Sequence, residues 1–228
     1  VKTLLLFDID GTLLRADDAT RVAMSGAFQD IFGVRDATAG VSFSGRTDPE
    51  ILQESALSAL GRLFQDEEFQ RLIERYVYLL PRELERSESF QLMPGVKQLL
   101  TQLSTMTDVG LGIETGNLEA GAKLKLKRGG IKRFFSVGGF GSDSTNRTEI
   151  VRLAIERVRK LHQNNIPREN IFIIGDAPQD IIAGRNLGIN TIAVVTGHAD
   201  RNTLIAESPN CILPDLSDIA SFMKYTGL

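Results

Sequence analysis

The chain is 228 residues long, 42% hydrophobic and 24% charged, with a net charge of −3: enough for one large domain or two modest ones. The negative balance excludes a nucleic-acid binder that relies on bulk positive charge, and the single cysteine, Cys211, excludes an internal disulfide and makes a reducing compartment the default. No stretch reads as a signal peptide or approaches the ~18 apolar residues that span a bilayer, so a soluble cytoplasmic protein is expected, with a short segment missing ahead of Val1.

Short apolar runs predict buried strands at TLLLF (3–7), VGLGI (109–113), FFSVG (134–138), IFIIG (171–175) and TIAVV (191–195), with CIL (211–213) as a weaker sixth. Between the first two, residues 16–92 show helical periodicity and no convincing strand. The patterns are ATRVAMSGAFQDIF, PEILQESALSALGRLF and EEFQRLIERYVYLLPRELERS, the last expected to end or kink at Pro81. This stretch carries eight Arg against fourteen Asp and Glu, a balance of −6 that leaves +3 for the rest. From residue 95 onward strands alternate with the helical patterns GVKQLLTQL, LEAGAKLKLKR, TEIVRLAIERVRK and PQDIIAGRNLG. Near-continuous apolar strands alternating with helices predict an α/β fold, a doubly wound, Rossmann-like parallel sheet covered on both faces. Residues 1–15 and 93–228 would form it. Residues 16–92 would be a helical domain inserted after the first strand, with linkers near 14–17 and 90–95.

Ligands of open parallel sheets bind beyond the carboxyl ends of the strands, and polar residues sit there four times. FDIDGTLL puts Asp8 and Asp10 where the first strand ends, although burying an unpaired carboxylate costs several kcal/mol. ETGN puts Thr115, Gly116 and Asn117 after the second. The loop GGFGSDSTNR brings Arg147 to a helix start after the third, and GDAPQD puts Asp176 and Asp180 after the fourth. Clustered carboxylates repel one another and take up protons unless a cation holds them. Hard oxygen ligands with room for water suit Mg²⁺. The Thr115 hydroxyl, the amide of Gly116 or Asn117 and the Arg147 guanidinium suit a phosphate group. One carboxylate can then attack phosphorus while a second moves the proton.

In order, FDIDGTLL, the strand ending in Thr115, Arg147 and IIGDAPQD resemble the four motifs of the haloacid dehalogenase-like (HAD) hydrolase superfamily, over nearly the whole chain. The resemblance implies that residues 16–92 are a mobile α-helical cap. It implies Asp8 as a nucleophile that becomes an aspartyl-phosphate, and Asp10 as general acid and then base. Asp8, the Asp10 backbone carbonyl and Asp176 would ligate Mg²⁺, with Asp180 in or behind that shell, and Thr115, Gly116 and Arg147 would hold the phosphoryl group. One departure is that the third motif is commonly lysine followed by proline, whereas STNRTEI offers Arg147, and arginine does not replace lysine freely. Lys123, Lys125 and Lys127 are its competitors, expected to be a solvated helix face.

Asp10 and Asp176 point away from a dehalogenase, and no lysine occurs between Thr3 and Val96 to form the cap imine of a phosphonate-cleaving relative. The expected activity is Mg²⁺-dependent hydrolysis of a small phosphorylated metabolite, with no nucleic-acid or membrane partner. A phosphosugar mutase and a non-catalytic module for phosphorylated ligands are the alternatives. FSGRTDPEI (43–51) is similar to the specificity loop of phosphoglycolate-phosphatase-like and β-phosphoglucomutase-like members. There Thr47 or Asp48 would cap a helix opening near Pro49, and Arg46 would reach a carboxylate or second phosphate of the substrate. His162 and His198 are expected to be structural or exposed, and Tyr76 and Tyr78 to lie away from the cleft.

Overall fold

A computed structural model describes residues 1–228. Its elements run β1 (Thr3–Phe7), β2 (Leu14–Arg15), α1 (Asp17–Phe32), α2 (Asp48–Leu60), α3 (Asp66–Arg86), β3 (Gln91–Leu92), α4 (Val96–Leu103), β4 (Val109–Thr115) and α5 (Glu119–Arg128). They continue β5 (Gly138–Phe140), α6 (Arg147–His162), β6 (Ile171–Gly175), α7 (Pro178–Leu187), β7 (Asn190–Val194), α8 (Arg201–Ala206), β8 (Cys211–Leu213) and α9 (Ile219–Thr226). Six strands form one sheet in the order β5-β4-β1-β6-β7-β8, and every pairing in it is parallel. The α/β expectation holds.

β1 is fully buried and alternates its side chains between the two helical layers. Leu4 and Leu6 pack with Val151, Ala154 and Val158 of α6 and Ala183 of α7, whereas Leu5 and Phe7 belong to the cluster containing Val96, Leu99 and Leu100 of α4 and Phe222 of α9. Chain order reverses at β1: β4 and β5 lie to one side of it and β6, β7 and β8 to the other. That reversal leaves a crevice past its carboxyl end.

Helices α1, α2 and α3 lie between β2 and β3, which pair antiparallel as Leu14 with Leu92 and Arg15 with Gln91. The two linkers read from sequence are therefore hydrogen-bonded to each other. Thr47 caps α2 through a capping box with Glu50, and Asp48 and Pro49 open the helix. The 39-residue apolar cluster that includes Leu5 and Phe7 also takes in Met24, Phe28, Ile51, Leu72 and Leu80, so apolar packing is continuous between these helices and the sheet.

Four expectations are corrected. The strand read at 134–138 is instead Gly138–Phe140, with a 3₁₀ turn at Lys132–Phe134; Phe134 and Phe135 pack apolar surface from outside the ladder. β4 runs to Thr115, two residues past its apolar run, so Glu114 and Thr115 lie inside it. The second helix stops at Leu60, because Gly61 takes a left-handed φ of 69° and closes it. Pro81 does not end α3, which continues to Arg86. Leu72, Tyr76, Leu79, Leu80 and Leu84 form one buried stripe along α3, and its packing outweighs the hydrogen bond that proline removes. Replacing Pro81 with Ala is expected to stabilise the protein by about 1–3 kcal/mol, read as a higher urea midpoint at unchanged slope. A lower midpoint would show that the ring itself is needed.

Candidate active site

The first strand ends in a turn shaped around one acid. Gly11 adopts a φ of 85°, and a Cβ there would overlap the Asp176 carboxylate. The Thr12 hydroxyl donates to Asp176 Oδ1 at 2.8 Å, and the Asp8 amide donates to the Ile174 carbonyl at 2.9 Å. β1 and β6 thus deliver Asp8 and Asp176 to one point. Asp180, third residue of α7, accepts from the Ala177 amide at 3.0 Å. Asp8, Asp176 and Asp180 are all buried, and each offers a carboxylate oxygen within 4.8 Å of the others'.

Arg147 opens α6, where the Asn146 side chain caps the helix. Its Nη1 donates to Asp8 Oδ1 at 3.4 Å and to Glu114 Oε2 at 3.2 Å, and its Nε lies 3.5 Å from Asp180 Oδ1. The arginine therefore takes the place beside Asp8. One guanidinium serves too many acids: Glu114 Oε1 and Asp180 Oδ1 have no hydrogen-bond partner. Burial, only partly offset by Arg147, pushes the Asp8 carboxyl up to about 7. Burial and the neighbouring Asp8 and Asp180 push Asp176 well above the carboxylate range, and burial does the same to Glu114.

On the other side of β1, Thr115 is fully buried. The Asn117 side-chain amide donates to Thr115 Oγ1 at 2.8 Å and to Asp10 Oδ2 at 2.7 Å, and the Asn117 backbone amide is turned onto Thr115 Oγ1 at 3.3 Å. Gly116 is where the helical segment touches the sheet: its carbonyl accepts from the Asp48 amide at 2.7 Å, and a Cβ there would overlap the Arg46 carbonyl. Asp48 Oδ2 accepts in turn from the Leu118 amide at 2.9 Å, at the start of α5.

Lys125 corrects the expectation of a solvated lysine face. It is 1% exposed, with Nζ 2.6 Å from Asp10 Oδ2 and 2.5 Å from Asn117 Oδ1. The signal was present in KLKLK: two residues along a helix is about 200°, so Lys125 stands opposite Lys123 and Lys127. It shares the buried face with Gly121, Ala122 and Leu126. Glu114, inside ETGN, carried no such signal, because nothing local separates a buried strand-end acid from a solvated one.

Asp8, Asp10, Asp48, Asp176, Thr115, Gly116, Asn117, Arg147 and Lys125 line one narrow cavity between sheet and helical segment. Arg46, in the loop before α2, also lines it, paired with Glu54 of that helix. His198 stands at its wall, exposed and 3.0 Å from Asp17; His162 is exposed and outside it. Tyr78 is exposed, and Tyr76 is buried without lining the cavity.

The site is a cluster of buried acids with Thr115 and Arg147 at the switch point of an all-parallel sheet. Residues 5–194 match the model of the haloacid dehalogenase-like hydrolase family, and the chain belongs to that family. Among its relatives, the phosphoglycolate phosphatase of Synechococcus elongatus is 29% identical over 221 residues, 94% of each chain. The pyrophosphatase PpaX of Oceanobacillus iheyensis is 23% identical and covers 96% of this chain and 95% of its own. The crystal structure of CbbY from Rhodobacter sphaeroides, in complex with phosphate, has the same fold with a TM-score of 0.68 at 19% identity, covering 96% of both chains. No helix is long and apolar enough to cross a membrane.

The Asp48 contact has a pH signature. Burial, opposed first by Lys125 and then by the Leu118 amide, raises its carboxyl from 3.8 to about 6. Its contribution to stability is therefore full below pH 3.8 and is lost as the pH rises through about 6. Asp48→Asn keeps the acceptor without the charge, so it is expected to raise the melting temperature relative to wild type more at pH 8 than at pH 5. An equal shift at both values would remove the titration from the account.

Proposed function

We propose that the chain is a Mg²⁺-dependent phosphatase that hydrolyses a small phosphorylated metabolite through an aspartyl-phosphate on Asp8. The carrying observation is the convergence of the Asp8, Asp176 and Asp180 carboxylates within 4.8 Å, with Arg147 against Asp8 and Thr115 lining the same cavity. The partnerless Asp180 oxygen and the raised Asp8 and Asp176 carboxyls fit a divalent cation, because only a further positive charge lets such a group stay ionised. Asp8, Asp176, the Asp10 backbone carbonyl and, in or behind that set, Asp180 would hold it. Bound there, Mg²⁺ would favour the ionised acids and draw charge from the phosphoryl oxygens.

In this reading an Asp8 oxygen attacks phosphorus, the bond to the leaving oxygen breaks, and Asp10 gives that oxygen its proton. Asp10, now a carboxylate, takes a proton from the water that attacks the aspartyl-phosphate, which frees Asp8 and inorganic phosphate. The Thr115 hydroxyl, the amides of Gly116 and Asn117 and the Arg147 guanidinium would steady the phosphoryl group. Residues 16–92 would act as the cap over a core of 1–15 and 93–228. Only three of the 18 residues lining the cavity are hydrophobic, which favours a short polar substrate. Arg46 would exchange Glu54 for a carboxylate or second phosphate of that substrate.

Purified protein with a panel of 2-phosphoglycolate, glycerol 3-phosphate, phosphosugars, pyrophosphate and p-nitrophenyl phosphate is expected to release inorganic phosphate with Mg²⁺ and to stop with EDTA. Asp8→Asn is expected to bring release to background while circular dichroism stays unchanged. No release from any compound, or undiminished release by Asp8→Asn, overturns the reading, and conversion of a phosphosugar to its isomer without release identifies a mutase. On the best substrate of the panel, Arg46→Ala is expected to raise KM about tenfold or more with a smaller change in kcat. Unchanged preference across the panel would take Arg46 out of substrate recognition.

A further inference from the structure

Lysine is almost never fully buried unless it is paired, and Lys125 is buried with partners that define a task. Its ammonium has three donors and no acceptor. One reaches Asp10 Oδ2 at 2.6 Å and one reaches Asn117 Oδ1 at 2.5 Å, while Asp48 of the helical segment also faces its charge. The contact with the lysine fixes which way the Asn117 amide points: with Oδ1 taken by an ammonium, Nδ2 must face away. Nδ2 donates to the same Asp10 oxygen at 2.7 Å and to Thr115 Oγ1 at 2.8 Å. Two donors thus hold Asp10 Oδ2. The other oxygen, Oδ1, is buried without a hydrogen-bond partner, in a residue that lines the cavity. Lys125 forms no ion pair with Asp8; that place belongs to Arg147.

We propose that Lys125 is a positioning residue: with Asn117 it holds Oδ2 of Asp10, so that Oδ1 alone is presented to the leaving oxygen of the substrate. This rests on Asp10 being the general acid. The step it serves is balanced within the site: the Asp8–phosphorus bond forms, the bond from phosphorus to the leaving oxygen breaks with its electron pair on oxygen, and the proton on Asp10 Oδ1 passes to that oxygen. Without Lys125, Asn117 Oδ1 is left unpaired, the amide is free to turn, and the Asp10 carboxyl loses both constraints.

The test uses the leaving group. p-Nitrophenolate departs without a proton, whereas an alkoxide does not, so the effect on kcat/KM, which reports the first irreversible step, should depend on the substrate. In Lys125→Met we expect kcat/KM to fall about 10²-fold for the best alkyl phosphate of the panel and less than about fivefold for p-nitrophenyl phosphate. Lys125→Gln, which keeps an N–H donor, is expected to lie between Lys125→Met and wild type on the alkyl substrate and to serve if the methionine variant does not fold. Equal losses on both substrates, or none, in a folded variant overturn the proposal. Asp10→Asn separates the two levels of inference. If it shows the leaving-group dependence and the Lys125 variants do not, Lys125 has no positioning role; if it shows none, the general-acid assignment of Asp10 falls, and the proposal with it.

Discussion

Burying several carboxylates at the end of two neighbouring parallel strands sets the terms for the rest of this molecule. Asp8, Glu114 and Asp180 lie against a single guanidinium, that of Arg147, and Asp176 crowds in beside Asp8 and Asp180. Burial raises all four carboxyls, and the one positive charge offsets it only in part, for Asp8, Glu114 and Asp180. The surrounding backbone is shaped to this constraint. Gly11 leaves space where a side chain would strike Asp176, Thr12 donates to the same acid, and Asp180 sits in the first turn of α7, where the Ala177 amide meets it. An arrangement so costly in isolation is held together by the apolar layers on both faces of β1.

The departure from the usual lysine of the third motif acquires a physical context in Glu114. A guanidinium is a wide, planar fork with five donors, and Asp8 alone does not fill it. Glu114, one residue before Thr115 in β4, takes the same Nη1 that reaches Asp8. The lysine of this site lies elsewhere, on α5, and serves Asp10 instead. The two cations thus divide the crevice between the acid at the end of β1 and the acid two residues beyond it, with no ion pair shared between the two groups.

The helical segment is not a separate layer resting on the sheet. Its Asp48 bonds to both the Gly116 carbonyl and the Leu118 amide, and its apolar face joins the cluster under β1. The −6 balance of residues 16–92 against +3 for the remainder gives the two parts opposite sign. Closeness at Gly116 admits no Cβ, so the loop that carries Arg46 meets the sheet by backbone contact, with the Asp48 side chain fastening the helix that follows to the Leu118 amide.

Sequence alone determined the alternation of strands and helices and the gathering of Asp8, Asp10, Thr115, Arg147 and Asp176 on one rim. These follow from short-range apolar periodicity and from the rule that parallel strands open their ligand crevice at the carboxyl ends. Four strand positions read from sequence, 3–7, 171–175, 191–195 and 211–213, agree with the structure to within a residue, because buried parallel strands are marked by unbroken apolar runs. Tertiary structure decided what no local pattern records: that Pro81 stays inside a helix, that Phe134 packs outside the sheet, that Glu114 shares Arg147, and that Lys125 meets Asp10. In each case a partner distant along the chain outweighs the local preference of the residue. Long-range burial sets the energy of a proline, an acid or a lysine, and a pattern of neighbours in sequence carries no term for it.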